Sequence, residues 1–230
     1  VNPAKSVGRV IGALLVVQLA GLIVPFVMLD PLMRGTQYYL ANAAGSPLQI
    51  KLAVFLLLAN CALTVGISLA TWPVFRQHSG AGALLLVAAG VVVFALQAVD
   101  NAHLMSMLSL SQQYTQAGGP DEPFQTFAAV VGTTRRWTHY HVLLTIDSWI
   151  FAFYVLLFRF RLVPRALAGF GLLTVLLHFA AIPLPMFLGY RGVTPLGVPM
   201  ALSHIALAVW LIARGLESPA RPAAAEPGLR

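Results

Sequence analysis

The chain has 230 residues, 59% of them hydrophobic and only 9% charged, with a mean hydropathy of +0.82. A soluble domain is roughly 45–50% apolar and about 25% charged, so the composition excludes a soluble globular protein and a disordered chain and leaves a polytopic membrane protein. The net charge of +7 comes from Lys and Arg placed between apolar runs, which points to membrane topology and away from nucleic acid.

The first apolar run extends from about Val10 to Leu29, after Lys5 and Arg9. It is long enough to span a bilayer. The nearest small-x-small site, Ala41-Asn42-Ala43, lies well past its end, so the run reads as a retained span and not as a signal peptide. Asp30-Pro31 then has the form of a helix start, with Asp as N-cap and Pro in the first turn. A short interfacial helix is expected from Leu32 to Ala44, ending near Gly45, with Tyr38 and Tyr39 at headgroup level.

The second span runs from about Leu52 to Val74 and holds Cys61, the one cysteine. No intramolecular disulfide, C-x-x-C metal pair or C-x-x-C-H haem site is therefore available. A short turn, Arg76 to Gly80, leads into the third span, about Ala81 to Ala98. The outer loop from Ser111 to Arg136 repeats the earlier device. Asp121 can cap a second interfacial helix carrying Phe124, Phe127 and Val131 at helical spacing.

The fourth span runs from about Tyr140 to Phe158, the fifth from Ala166 to Phe187 and the sixth from Val198 to Ala213. Pro183 and Pro185 should break or kink the end of the fifth. The segment from Ser218 to Arg230 is rich in Pro and Ala and is expected to be a disordered tail. The expectation is thus an all-α bundle of six transmembrane helices over residues 1–217, a tail over 218–230, and two short helices on the outer face.

Six spans put both termini on one side. Nine Lys and Arg fall on that side and five on the other. The richer side should be cytoplasmic, which places both termini inside.

Ionisable groups within apolar spans are costly and tend to face the bundle interior. Here they are Asp100, His103, His141, Asp147, His178 and His204. All are expected in the outer half of the bundle or near its midplane. Asp147 lies six residues deeper than His141, roughly 9 Å along a helix. Four helices each offer a histidine to that half, so one outward-facing polar site beneath the two outer segments is expected. Imidazole with carboxylate is the donor set of transition-metal sites. Asp100, His103, His141, His178 and His204 are accordingly the candidate metal ligands, and two facing histidines are the donor set of a haem. The simpler roles are interhelical hydrogen bonds for His178 and His204, and headgroup anchoring for His139 and His141 beside Arg135, Arg136 and Trp137.

Between the fourth and fifth spans stands Arg159-Phe160-Arg161-Leu162-Val163-Pro164-Arg165-Ala166-Leu167, followed by Gly169 and Gly171. This R-x-R-L-V-P-R-x-L turn resembles that of an uncharacterised family of bacterial polytopic membrane proteins, a domain of unknown function. Two further features are typical of that family: a basic residue before a glycine-containing first span, as in Arg9 to Gly21, and a histidine at the start of the span before the turn, matched by His141. The resemblance implies a multi-pass protein of the bacterial cytoplasmic membrane and no particular activity.

The favoured reading is binding of a small ligand, ion or cofactor in the outer-half His/Asp site. The alternatives are an intramembrane metal-dependent enzyme of hydrolase type, a proton-coupled transporter, and a structural or partner-binding subunit. Expected partners are the lipid bilayer and a small molecule or ion, with no nucleic acid. Transition metal and haem are the cofactors to weigh; whether the site catalyses a reaction, and whether a protein partner exists, stay open.

Overall fold

Apolar segments that meet no water must satisfy their backbone polar groups internally, and a helix does this within one segment. In a computed structural model of the chain, which describes residues 3–119, 122–189 and 194–217, every regular element among those residues is helical. The longer elements are α1 (Pro3–Met28), α4 (Pro47–Phe75), α5 (Gly80–Gln116), α6 (Glu122–Arg159), α7 (Arg165–Ala181) and α9 (Val198–Arg214). The shorter ones are α2 (Asp30–Met33), α3 (Thr36–Asn42) and α8 (Pro183–Phe187). Five segments are long and apolar enough to cross a membrane: α1, α4, α5, α6, and α7 taken through α8. The protein is thus a helical, multi-pass membrane protein. The sixth apolar run forms α9, which has 17 residues.

The long helices make a ring in chain order. α1 packs on α4, α4 on α5, α5 on α6, α6 on α7, α7 on α9, and α9 returns to α1. Glycine makes the closing contact intimate. Gly8 and Gly12, four residues apart on α1, face the end of α9, and a Cβ on Gly12 would stand 2.8 Å from the Ala208 carbonyl oxygen. Small residues at this spacing let two backbones approach where no side chain fits. At the same end Leu162 and Val163 of the basic turn are buried, and the Glu217 backbone N–H donates to the Leu162 carbonyl at 2.8 Å.

The interior holds Trp149, Phe153 and Tyr154 of α6, packed against Ile11, Leu86, Val175 and Leu207 from the other helices. Large apolar side chains such as Val27, Leu84, Leu173 and Val209 remain exposed. That pattern suits helices covered by lipid.

α5 and α6 have 37 and 38 residues, or about 55 Å each at 1.5 Å per residue, against a hydrocarbon core of ~30 Å. The segment carrying Phe124, Phe127 and Val131 is therefore no separate lid. It is the first turns of α6, continuous with the fourth span, because no proline stands between Phe124 and Tyr140 and Gly132 stays helical. The proposed cap Asp121 lies outside the described residues, as does the segment 218–230.

These overhangs, with α2, α3 and the start of α4, enclose a second core of Leu32, Tyr39, Leu40, Ile50, Leu104, Met107 and Leu108. The Tyr39 hydroxyl donates to the Ala128 carbonyl at 2.9 Å, and burial pushes this phenol up to about 12, so it keeps its proton. Ser111 donates to the Leu40 carbonyl at 2.9 Å and accepts from the Ala44 N–H at 2.9 Å.

The single helix expected from Leu32 to Ala44 is instead α2, α3 and a 3-10 turn over Ala43–Gly45. Gly35, at φ 109°, makes the break between α2 and α3, a conformation that glycine adopts without a Cβ penalty. Asp30 does not act as an N-cap either. Its carboxylate is engaged by Arg34 one turn on, at 2.9 Å. The fifth run is interrupted as its prolines require, with α7 ending at Ala181 and α8 starting at Pro183.

Candidate functional site

α6 turns one stripe inward: Val142, Asp147, Trp149, Ile150, Phe153 and Tyr154 are all buried. Asp147 is thereby held fully out of solvent, facing α7. There it meets His178, whose Nδ1 lies 2.9 Å from Oδ1 and 2.8 Å from Oδ2. With the carboxylate ionised, Nδ1 carries the proton and donates, which leaves Nε2 as the free ring nitrogen. The His178 side chain is 18% exposed. Its Cδ2–Nε2 edge is turned to Gly197, where a Cβ would stand 3.1 Å from Cδ2.

One turn below His178 on α7 sits Thr174. Its hydroxyl is 3.0 Å from Ser203 of α9, and the Tyr154 hydroxyl donates to the same Ser203 oxygen at 3.4 Å. Ser203 donates in turn to the Met200 carbonyl at 2.8 Å. His204 lies beside this group, its ring edge-on to Tyr154 at 5.5 Å and its Nδ1 2.9 Å from the Met200 carbonyl oxygen. Asp147, His178 and His204 thus belong to one region, built by α6, α7 and α9.

Asp100 belongs to a different one. Its side chain, 1% exposed, faces Arg135 and His139 of α6. Arg135 Nε is 3.2 Å from Oδ1, Nη2 is 3.4 Å from Oδ2, and His139 Nδ1 is 3.5 Å from Oδ2. His139, expected as a headgroup anchor, is a partner of this carboxylate.

His103 and His141 join neither group. His103 Nδ1 is buried with no hydrogen-bond partner among the described residues. His141 is exposed, with Nδ1 2.8 Å from the Trp137 carbonyl of its own helix. Thr145 and Ser148, at helical spacing from His141 on α6, likewise donate to carbonyls one turn back. Among the described residues no three His, Cys, Asp or Glu side chains gather where they could hold a metal ion. Each carboxylate brings one imidazole, which is two donors.

A third set of polar contacts ties α1, α4, α5 and α6 together. Gln18 donates to Thr64 at 2.7 Å, the Trp149 indole donates to Ser68 at 2.8 Å, and the Asn101 amide donates to the Val54 carbonyl at 2.9 Å. Bonds of this kind hold helices to one another in lipid.

What the first region offers chemically is an imidazole oriented by a buried carboxylate, with its second nitrogen free. Such a group can hydrogen-bond a ligand, carry a proton or supply one ligand to an ion.

The sequence model of a family described as Domain of unknown function (DUF4386) matches residues 10–215, from the first turns of α1 to the end of α9. No curated protein and no solved structure matches the chain.

Proposed function

Because the chain belongs to the DUF4386 family, a domain of unknown function, we propose a role drawn from its own geometry: an integral membrane protein of six spans that binds a small ligand or ion at the Asp147–His178 pair. The observation that carries this reading is the pair itself. A carboxylate with no solvent contact is bonded through both oxygens to one imidazole, and the other ring edge is directed at the outer link that contains Gly197.

The experiment is a thermal-shift measurement on the purified protein in uncharged detergent. The probes are sodium, zinc, nickel, acetate and citrate. At least one should raise the unfolding midpoint of wild type by several degrees. His178→Gln and Asp147→Asn should abolish that response, and His141→Ala should preserve it. No response in wild type, or one that His178→Gln leaves intact, overturns the proposal. A structural role is the second reading, favoured by the way Asp147 with His178, and Thr174 with Ser203, close contacts between helices. It predicts lower midpoints in the variants and no probe response in any of them.

The six-span topology has its own support. α9 buries Ser203, Leu207, Ala208 and Leu211 against its neighbours and turns Leu202, Ile205, Val209 and Ile212 outward. That outward face is wholly apolar, as lipid requires. Seventeen residues span about 26 Å, the short end of what crosses a bilayer. Both termini are then cytoplasmic, in a bacterial inner membrane, by the bias of positive charge. Alkaline phosphatase fused after Arg230 should be inactive, and the same enzyme inserted at Gly118 should be active. Activity at both positions would show that α9 does not cross.

A further inference from the structure

At the outer end of the bundle, residues of α2, α3, α5 and α6 line a half-open cavity of about 170 Å3. It is too small for a drug-sized ligand, whose pockets run ~300–1,000 Å3, and large enough for a single polar group. Met33 and Met107 supply an apolar wall; Thr36 and Thr133 supply hydroxyls, and Arg135 and Arg136 supply guanidinium groups.

The charge in this cavity is not balanced. Arg135 forms an ion pair with Asp100, its Nε 3.2 Å from Oδ1 and its Nη2 donating to Oδ2. Its remaining terminal nitrogen, Nη1, donates at 3.4 Å to the Met33 sulfur, a weak acceptor. Arg136, exposed beside it, has no ion-pair partner among the described residues. The carboxylate on the neighbouring α2, Asp30, is already held by Arg34. One positive charge and one under-used, part-buried donor therefore face the same small space.

Its height in the membrane says what could fill it. A hydrocarbon core of ~30 Å takes ~20 residues of helix. Counted up α5 from Gly80, that reaches the level of Asp100, directly under the cavity. The cavity thus lies at the level of lipid headgroups, and its apolar wall continues the second core. It is separate from the Asp147–His178 pair, which lies twelve residues further along α6, roughly 18 Å away.

We propose that this cavity is a binding site for a phosphate group, held by the Arg136 guanidinium, Nη1 of Arg135 and the hydroxyls of Thr36 and Thr133. Guanidinium presents paired N–H donors in the geometry that phosphate oxygens accept. The same chemistry is offered by an anionic lipid headgroup and by a free phosphate, and two arms of one experiment tell them apart.

In the first arm, inorganic phosphate is titrated into the purified protein in uncharged detergent and followed by calorimetry. In the second, phosphatidylglycerol is added in detergent and the retained lipids are counted by native mass spectrometry. Wild type, Arg136→Gln and Arg34→Gln are compared in both, with gel filtration to show that each variant is folded. Saturable binding in either arm is expected, weakened at least tenfold by Arg136→Gln and unchanged by Arg34→Gln. Binding in the first arm identifies a free phosphate; binding in the second arm alone identifies a headgroup. Absence of saturable binding in both arms overturns the site. So does binding that survives Arg136→Gln, or that falls equally with Arg34→Gln, since either outcome reduces it to unspecific attraction by surface charge.

Discussion

Replacing Arg135 with methionine is expected to destabilise the protein by about 3–5 kcal/mol, the usual penalty for stripping a buried charge of its partner. Asp100 is 1% exposed and sits against the guanidinium, with His139 as its other neighbour at 3.5 Å. Methionine keeps the volume and removes the charge. The carboxylate must then draw on His139 alone or take up a proton. The measurement is the unfolding midpoint of the purified protein, by heat or by titration with a denaturing detergent. The double variant Asp100→Asn/Arg135→Met should recover most of the loss, because replacing both members of a buried pair costs far less than orphaning one. If the single variant is as stable as wild type, the pair is more hydrated than its burial implies. If the double variant is as unstable as the single, the loss comes from packing.

The second large effect is expected at Trp149. Its ring is 1% exposed and stacks on Phe153 with centroids 5.5 Å apart and planes 7° from parallel. Its indole N–H donates to Ser68, which itself donates back to the Thr64 carbonyl at 2.8 Å. Truncating Trp149 to alanine should cost about 3–5 kcal/mol, as aromatic deletions in a packed core do. Trp149→Phe separates ring from hydrogen bond. It keeps most of the stack and loses one interhelical bond, worth ~0.6 kcal/mol on average in lipid. The unfolding midpoint should therefore fall far more in the alanine variant. Equal losses would mean that the bond to Ser68, and not the ring, holds α6 against α4.

The five segments long and apolar enough to cross a membrane were legible because each contains a continuous apolar run, and the break before Pro183 because proline has no N–H to give. The Asp147–His178 pair was half legible. Both residues stood out as costly in lipid, but nothing in a single chain states that α6 lies beside α7 and not across the ring from it. Arg135 and His139 were misassigned for a definite reason. Starting the fourth span at Tyr140 cut them from their helix. Extended back to Glu122, α6 has Ala128, Arg135, His139, Val142 and Trp149 on one inward stripe, and the spacing of Arg135 and His139 would have aimed both at a neighbouring helix. His141 failed in the opposite direction. Two residues beyond His139 on a helix, it is turned roughly 200° away and lies exposed. The α2–α3 break was missed because Gly35 was not weighed, although a glycine inside an expected helix marks a place where the chain can turn.

The closure of the ring has a consequence for biogenesis. α1 precedes α9 in the chain by all the other helices, yet among the described residues its Gly8–Gly12 surface is matched by α9 and the residues just after it. Until α9 is made, the nascent chain holds an open arc of helices, with a glycine groove open on α1 and the polar edge of Thr174 and His178 unsealed on α7. α9 therefore acts as the keystone of assembly. A chain terminated before Val198 would insert its earlier helices normally, remain an open arc, and present to membrane quality control a surface that the finished protein never shows.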